Sequence, residues 1–241
     1  FVVLDNLQDL NVTDVFYKGK LVDRNAPIRV KTCGRALKHT VHLDKVKAEQ
    51  FVLPIGKKKT HVIGINPSQI TTEDLAVSLQ PAANYVPTDG YSKVAAVERH
   101  HNTGKIGVAV EKGYGIRNGA VASSVSHDSH NIIVIGDNDR DMALAVDEII
   151  RTQGGYTVVE NGEAFETLPL PIMGLMSDAG FESVNETLGR MIKKAHEMGV
   201  PADIEPFITL SFLALPVIPA LRITPRGLCL LTAKGPEILQ E

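Results

Sequence analysis

The 241-residue sequence predicts an α+β or α/β protein, in which a mixed β-sheet domain is flanked by helices and preceded by a small β-meander. Three observations support this fold class. Several short apolar runs are almost uninterrupted, which is typical of strands covered on both faces of a sheet. Two longer segments carry apolar residues at helical spacing. The opening segment instead alternates short apolar runs with turn residues.

Residues 1–40 are predicted to hold the meander and a connection. The predicted strands are Phe1–Asp5, Val12–Tyr17 and Lys20–Val22. Lys18-Gly19 forms a tight turn in which glycine can adopt positive φ. A meander of this size should pack against another structure. The connection over residues 23–42 has weak periodicity and at most one short strand, at residues 28–30.

The larger predicted domain, residues 41–241, begins with strands. Six segments combine β-branched or apolar residues and lie between turn signals. They are Phe51–Leu53, His61–Ile65, Val94–Val97, Ile106–Val110, Ala120–Val125 and Ile132–Ile135. Lys57, Lys58 and Lys59 lie between the first two segments, where we expect a solvated hairpin tip.

Two helices and a hairpin are predicted to follow. The elements are a helix over Asp139–Thr152, strands at 156–159 and 164–168, and a helix over Phe181–Met198. Asp137 or Asn138 can cap the first helix, and Gly154-Gly155 ends it. Asn161-Gly162 is the strongest hairpin signal in the chain.

Composition limits the possible classes of function. A formal net charge of −3 argues against a nucleic-acid-binding protein. Cys33 and Cys229 match no paired metal or redox spacing, so we expect a reduced, cytoplasmic protein. Phe207–Leu221 is the longest apolar stretch, but prolines interrupt it, and we expect a buried segment or a subunit contact. Phe1 begins inside a strand-like run, so we expect a fragment.

Three motif-like segments do not indicate a common type of site. Gly113–Ala120 contains a glycine pattern, but its third glycine is one residue late and a strand follows instead of a helix. Ser123-Ser124 lacks the flanking glycines of a nucleophile elbow. Leu168–Met176 is fixed by prolines and is expected to be a buried connector, a lid or an oligomer contact.

The loop Ser126–Asn131 holds the highest concentration of reactive side chains. His127, Asp128 and His130 could bind a metal ion or transfer protons, because imidazole and carboxylate are common ligands of Zn, Mn and Fe. Residues three apart in an extended loop point to opposite sides, however. Asp and Asn also favour turns for local reasons. A functional site and a structural loop therefore both remain open.

A second polar segment, Glu98–His101, follows another predicted strand. Arg99 has a planar donor fork that suits a carboxylate, so it could hold a loop such as the one at Asp128. An ion pair with Glu98 or another acid is equally possible. If both loops meet at one end of the sheet, they form a polar patch with four histidines. That patch is the default site, because sites gather on loops held by a rigid sheet.

Four of these segments, in the same order, resemble the adenine deaminase carboxy-terminal domain. They are Glu98–Gly104, Gly119–Ile132, Leu168–Ser177 and Phe207–Pro219. The opening run Phe1–Val22 resembles the closing strands of the small β-sandwich in amidohydrolase-superfamily enzymes. The resemblance covers essentially the whole chain, and four ordered segments are more specific than any one of them.

The resemblance implies hydrolytic deamination of adenine to hypoxanthine and ammonia, with a water activated by manganese or iron. In that superfamily the metal ligands lie on a (β/α)8 barrel and begin with a His-x-His pair. This chain has no suitable pair and lacks the residues that a barrel needs. We therefore expect the metal to bind upstream, with no metal site in this chain, and we expect the isolated chain to be inactive.

The matching positions give candidate residues and partners. The candidate catalytic residues are His127, Asp128 and His130, and the candidate substrate-binding residues are Arg99, His100 and Asn131. They would cover the mouth of the barrel or form a wall of its adenine pocket. The expected partners are adenine, the missing amino-terminal barrel and further copies in a homo-oligomer, without nucleic acid or membrane. The alternative is a non-catalytic module for purine contacts or oligomerisation.

Overall fold

The computed structural model describes residues 1–26, 33–56, 59–88 and 90–239. The chain forms two compact units, Phe1–Thr32 and Cys33–Glu241. The boundary expected between residues 40 and 41 stays a prediction. The strand expected at 28–30 lies outside the described residues, as do Lys57 and Lys58 of the expected hairpin tip.

The first unit contains a three-stranded antiparallel sheet. Its strands are β1 (Val2–Leu4), β2 (Val12–Tyr17) and β3 (Lys20–Leu21), in the order β1-β2-β3. Lys18 and Gly19 both have positive φ, 51° and 76°. Two such residues match a hairpin turn to the twist of its strands. The predicted meander is therefore confirmed.

An eight-stranded mixed sheet forms the centre of the second unit. Its strands are β4 (Thr60–Ile65), β5 (Thr72–Val77), β6 (Tyr91–Val97), β7 (Ile106–Lys112), β8 (Gly119–Ser123), β9 (Ile132–Gly136), β10 (Gly155–Glu160) and β11 (Glu163–Pro169). Their order across the sheet is β11-β10-β8-β9-β6-β7-β4-β5. β4 and β7 run parallel, and the other neighbours are antiparallel. The predicted mixed sheet is confirmed.

Helices cover both faces of this sheet, which explains the uninterrupted apolar runs. α1 (Asp139–Thr152) packs on one face, whereas α2 (Phe181–Glu197) and α3 (Pro206–Leu213) pack on the other. The side chain of Asn138 caps α1 by accepting a hydrogen bond from Asp141 N. Among the described helices, none is long and apolar enough to cross a membrane.

A small antiparallel sheet packs on the same face as α2 and α3. It contains β12 (Leu221–Thr224), β13 (Gly227–Thr232) and β14 (Gly235–Ile238), in that order. Leu221, Ile223 and Leu228 from this sheet join the core beside Phe207 of α3. The apolar stretch at 207–221 is thus partly a helix, and it combines buried residues such as Phe207 and Leu210 with exposed ones such as Ile208 and Val217.

Two local expectations are wrong. Phe51–Leu53 is not a strand, because a 3-10 helix over Ala48–Phe51 ends there and buries Phe51 in the core around α1. The expected pairing across the lysine run is also absent among the described strands, since β4 pairs with β5 and β7 instead. Gly113 and Gly115 adopt positive φ, 122° and 70°, in the segment before β8, so they shape a turn between strands.

Candidate functional site

The two polar loops meet at one end of the large sheet. β6 and β9 are antiparallel neighbours, so the end of β6 lies beside the start of β9. His100 Nε2 lies 2.7 Å from the carbonyl oxygen of Ser129. Arg99 N donates a hydrogen bond of 3.3 Å to Asn131 Oδ1. The two loops thus meet the condition set by the sequence analysis and form one shared polar patch.

Arg99 is buried beneath the patch, with 2% of its surface exposed. Its guanidinium donates to the carbonyl oxygens of His130, Thr40 and Met173, the last two at 2.9 and 3.0 Å. Burial lowers the pKa of this guanidinium from its ordinary value. Arg99 therefore holds the loop Ser126–Asn131, called the histidine loop below, through backbone carbonyls. It does not bind the carboxylate that its donor fork suggests.

Glu98 shapes its own loop and does not pair with Arg99. Its carboxylate accepts hydrogen bonds from His100 N, His101 N, Thr103 N and Thr103 Oγ1, at 2.5 to 3.1 Å. Burial opposes ionisation, but these hydrogen bonds lower the pKa of the carboxyl to about 2. The ion pair that was possible between these two neighbours is not formed, because each side chain binds backbone groups instead.

The histidine loop rests on α3. The His127 ring stacks on Phe212 with 5.1 Å between ring centroids, and His127 N donates to Ser211 O at 3.0 Å. The rings of His127 and His130 lie 6.1 Å apart. His127 Nδ1 is 3.1 Å from Asp128 Oδ1, and the Asp128 side chain is 84% exposed. His127 and Asp128 therefore lie at a surface that a partner or substrate can reach, with the His130 ring beside them.

His130 is partly buried, and its carbonyl oxygen accepts a hydrogen bond from Arg99. Burial lowers the pKa of its imidazole, and Arg99, His127 and His100 lower it further, whereas Asp128 opposes them. Its Nδ1 is buried and has no hydrogen-bond partner among the described residues. A neutral imidazole can accept a proton near neutral pH, whereas donation of a proton requires the imidazolium form, which the lowered pKa disfavours.

The candidate substrate-binding residues differ in how far they are buried. His100 is half-buried at the surface of the patch, whereas Arg99 and Asn131 are buried. Ser126 Oγ donates to Asn131 O at 2.7 Å, so the ends of the histidine loop are tied together. Arg99 and Asn131 hold this loop, and their roles in substrate binding stay predictions.

The patch does not fit a resident metal ion. Metal ligands must converge on one point, yet His100 Nε2 is occupied by a carbonyl oxygen and His127 Nδ1 faces Asp128. Across residues 1–26, 33–56, 59–88 and 90–239, no three His, Cys, Asp or Glu side chains are arranged to hold a metal. The described residues thus offer no ligand set for manganese or iron.

Several residues around the patch escape prediction from the sequence. Phe212 supports His127, and the carbonyls of Thr40 and Met173 bind Arg99. Gly174 lies against the Arg99 guanidinium, and a Cβ added there would be 2.8 Å from Nη1. The apolar composition of residues 168–177 gives no sign of this contact. In the sequence, only the position of Gly174 after the proline-fixed run hints at a close contact there.

A cleft of about 310 Å³ lies beside the patch, between α3 and residues 65–72. Phe212 lines this cleft and also carries the His127 ring. Glu205 lies in the cleft as well, and burial raises the pKa of its carboxyl. The volume is within the range of small-molecule sites. A ligand bound here would contact the ring that supports the histidine loop.

Known proteins match almost the whole chain. The adenine deaminase of Desulfitobacterium hafniense (strain Y51) is 49% identical over 230 residues, which are 95% of this chain and 40% of that protein. The adenine deaminase of Nitratidesulfovibrio vulgaris (strain DP4) is 45% identical over 234 residues, 95% of this chain and 41% of that protein. Adenine deaminase 2 of Carboxydothermus hydrogenoformans is 40% identical over 233 residues.

These matches place the chain in one part of longer proteins. It spans about 40% of the length of the curated relatives that it matches. The model of the adenine deaminase C-terminal domain matches residues 69–234, which include the eight-stranded sheet from β5 onward and both polar loops. The chain therefore belongs to the adenine deaminase C-terminal domain family.

Proposed function

We propose that this chain is the carboxy-terminal part of an adenine deaminase, which hydrolyses adenine to hypoxanthine and ammonia. In this reaction a C–O bond from water replaces the C–N bond to the amino group, and ammonia leaves. The observation that carries the proposal is the match of residues 69–234 to the C-terminal domain of this family. Relatives named adenine deaminase over 94–95% of the chain support it.

The metal, manganese or iron, would bind outside this chain, on an amino-terminal barrel of the same protein. The absence of a convergent ligand set among the described residues supports this division. The polar patch would then cover the mouth of the barrel or form a wall of the adenine pocket. The sheet β1–β3 would complete the small β-sandwich of an amidohydrolase.

The histidine loop would contribute proton transfer or purine contacts. His130 is the strongest candidate, because its imidazole is neutral near pH 7 and its Nδ1 is unused among the described contacts. His127 and Asp128 lie beside it at the surface. His100 would contact the substrate directly. Arg99 and Asn131 would act through the loop that they hold.

A cytoplasmic homo-oligomer is also part of the proposal. Both cysteines are free, which suits a reducing compartment. In the segment 207–219, Phe207 and Leu210 are buried, whereas Ile208 and Val217 are exposed and available for a subunit contact. Light scattering of the proposed full-length protein, called the parent protein below, would determine its subunit count.

Substitution of the histidines in the parent protein tests the proposal. His127→Ala and His130→Ala should each lower kcat/KM for adenine by about 100-fold or more, the size of a general acid–base contribution. His61→Ala is the matched control, because His61 of β4 pairs with Asp74 of β5, outside the patch. Conversion to hypoxanthine is followed by ultraviolet absorbance, with ammonia measured separately.

The same variants distinguish the alternative function. A non-catalytic oligomerisation module predicts an unchanged kcat together with an altered subunit count in the His127 and His130 variants. A parent protein that releases no ammonia from adenine would refute the proposed activity altogether.

A further inference from the structure

We propose that Arg99 is a positioning residue of the parent enzyme, whose guanidinium fixes the loop 126–131 in the conformation that presents His127 and His130. This inference rests on the proposed function. Its basis is a junction at which one buried side chain joins segments that are distant in sequence.

The hydrogen bonds of Arg99 run in different directions. Nε donates to His130 O, Nη1 to Thr40 O at 2.9 Å, and Nη2 to Met173 O at 3.0 Å. The backbone N–H of Arg99 also binds Asn131 Oδ1. Arg99 therefore holds the loop at two consecutive residues. A lysine has one terminal nitrogen and cannot reproduce the spacing of this planar fork.

Gly174 closes the junction on its other side. A Cβ at this position would lie 2.8 to 3.0 Å from the nitrogen and carbon atoms of the Arg99 guanidinium. Ser124 Oγ, just after β8, donates to Gly174 O at 2.6 Å. A side chain at position 174 would therefore displace the guanidinium without changing any charge.

Arg222 provides the comparison for Arg99. It is also fully buried, and it donates to Thr72 Oγ1 at 2.7 Å and to the carbonyl oxygens of Leu221, Ile70 and Pro219 at 2.7 to 2.9 Å. These contacts join the start of β5 to β12. Arg222 thus has the burial and carbonyl contacts of Arg99, but its hydrogen bonds are made away from the histidine loop.

Comparison of Arg99 and Arg222 variants distinguishes a positioning role from a general contribution to stability. In the parent protein, we expect Arg99→Lys to lower kcat for adenine by about 100-fold, because small misplacements of catalytic groups have effects of this size. KM should change by less than about threefold. Arg222→Lys, compared at equal folded fraction, should leave kcat within about threefold of the wild type.

A glycine pair repeats the test without altering an arginine. Gly174→Ala should lower kcat by about 10-fold or more, since its Cβ would collide with the guanidinium. Gly90→Ala is the control, because Gly90 has a similar φ of +81° but open space around its Cβ position. If Arg99→Lys does not fold, the kcat of Gly174→Ala tests the positioning role on its own.

Hydrogen–deuterium exchange of peptides covering residues 124–132 gives a readout that does not require activity. Exchange should accelerate in Arg99→Lys and Gly174→Ala and stay unchanged in both controls. Equal loss of kcat in Arg99→Lys and Arg222→Lys, or unchanged exchange in these peptides, would overturn the positioning role. If the wild-type parent does not deaminate adenine, the proposed function fails, and exchange alone decides whether Arg99 holds the loop.

Discussion

Glu98 and Arg99 are consecutive residues of opposite charge, and they bind backbone groups of different segments. Glu98 closes its own loop by accepting N–H groups, whereas Arg99 reaches the carbonyls of three other segments. Hydrogen bonds from or to charged groups are stronger than neutral ones. These two residues therefore determine the backbone on which the surface histidines are placed.

The depressed pKa of Glu98 makes part of the stability dependent on pH. Its folded pKa of about 2 lies below the unfolded value of about 4.3. The stabilisation is thus fully present above about pH 4.3 and is lost as the pH falls through about 2. Glu98→Gln should cost about 1 kcal/mol at pH 7, after allowance for solvent screening.

Urea unfolding of the full chain between pH 7 and pH 3 measures this effect. The stability gap between wild type and Glu98→Gln should narrow as the pH falls below about 4.3. Glu163→Gln, at an exposed acid of the hairpin between β10 and β11, serves as the control and should have little effect. A gap that is constant over this range would show that Glu98 does not titrate as described.

Lys93 of β6 connects three segments on the face of the large sheet that α1 covers. Its Nζ donates to Phe51 O at 3.1 Å, Asn84 Oδ1 at 2.6 Å and Asp139 Oδ1 at 2.7 Å. Asp139 is the first residue of α1. Burial lowers the pKa of this lysine, whereas Asp139 opposes the shift. The buried cation thereby fixes the start of α1 and the 3-10 helix at residues 48–51 against the sheet.

Removal of the Lys93 ammonium group should lower the free energy of unfolding substantially. Lys93→Met would remove the cation that is paired with the Asp139 carboxylate, and Asn84 Oδ1 would keep only the hydrogen bond from Leu53 N. We expect a loss of about 3 to 5 kcal/mol in the free energy of unfolding. Lys45→Met is the matched control, since Lys45 pairs with Asp147 of the same helix but is exposed. It should cost less than about 1 kcal/mol. Similar urea midpoints for both variants would contradict this account of Lys93.

Elements with strong local signals could be predicted from the sequence. α1 follows its cap and periodicity, and the β10–β11 hairpin follows Asn161-Gly162. β5 has no counterpart among the predicted strands, because Glu73 and Asp74 are exposed polar residues at the sheet edge. α3 lacks helical periodicity because its sequence is apolar on all sides. The buried surroundings of these elements determine their structure, not the local pattern.

The candidate site could be predicted only in part from the sequence. The histidines and Arg99 stand out in the sequence because they form polar loops directly beside almost uninterrupted apolar strands. Their supports, Thr40 and Met173, lie 59 and 74 residues from Arg99 and bind it mainly through backbone carbonyls, which any residue type supplies. No sequence pattern could reveal them. The large sheet brings these segments together, so the site is a product of topology as well as of composition.

The most direct test of the central claim compares the 241-residue chain with the parent protein in an adenine deamination assay. With manganese or iron added, the parent protein should release ammonia and form hypoxanthine. The isolated chain should remain at background and retain little metal after gel filtration, because its described residues form no ligand set. Turnover by the purified chain well above background, or stoichiometric metal retained by it, would contradict the proposal that the metal site lies outside this chain.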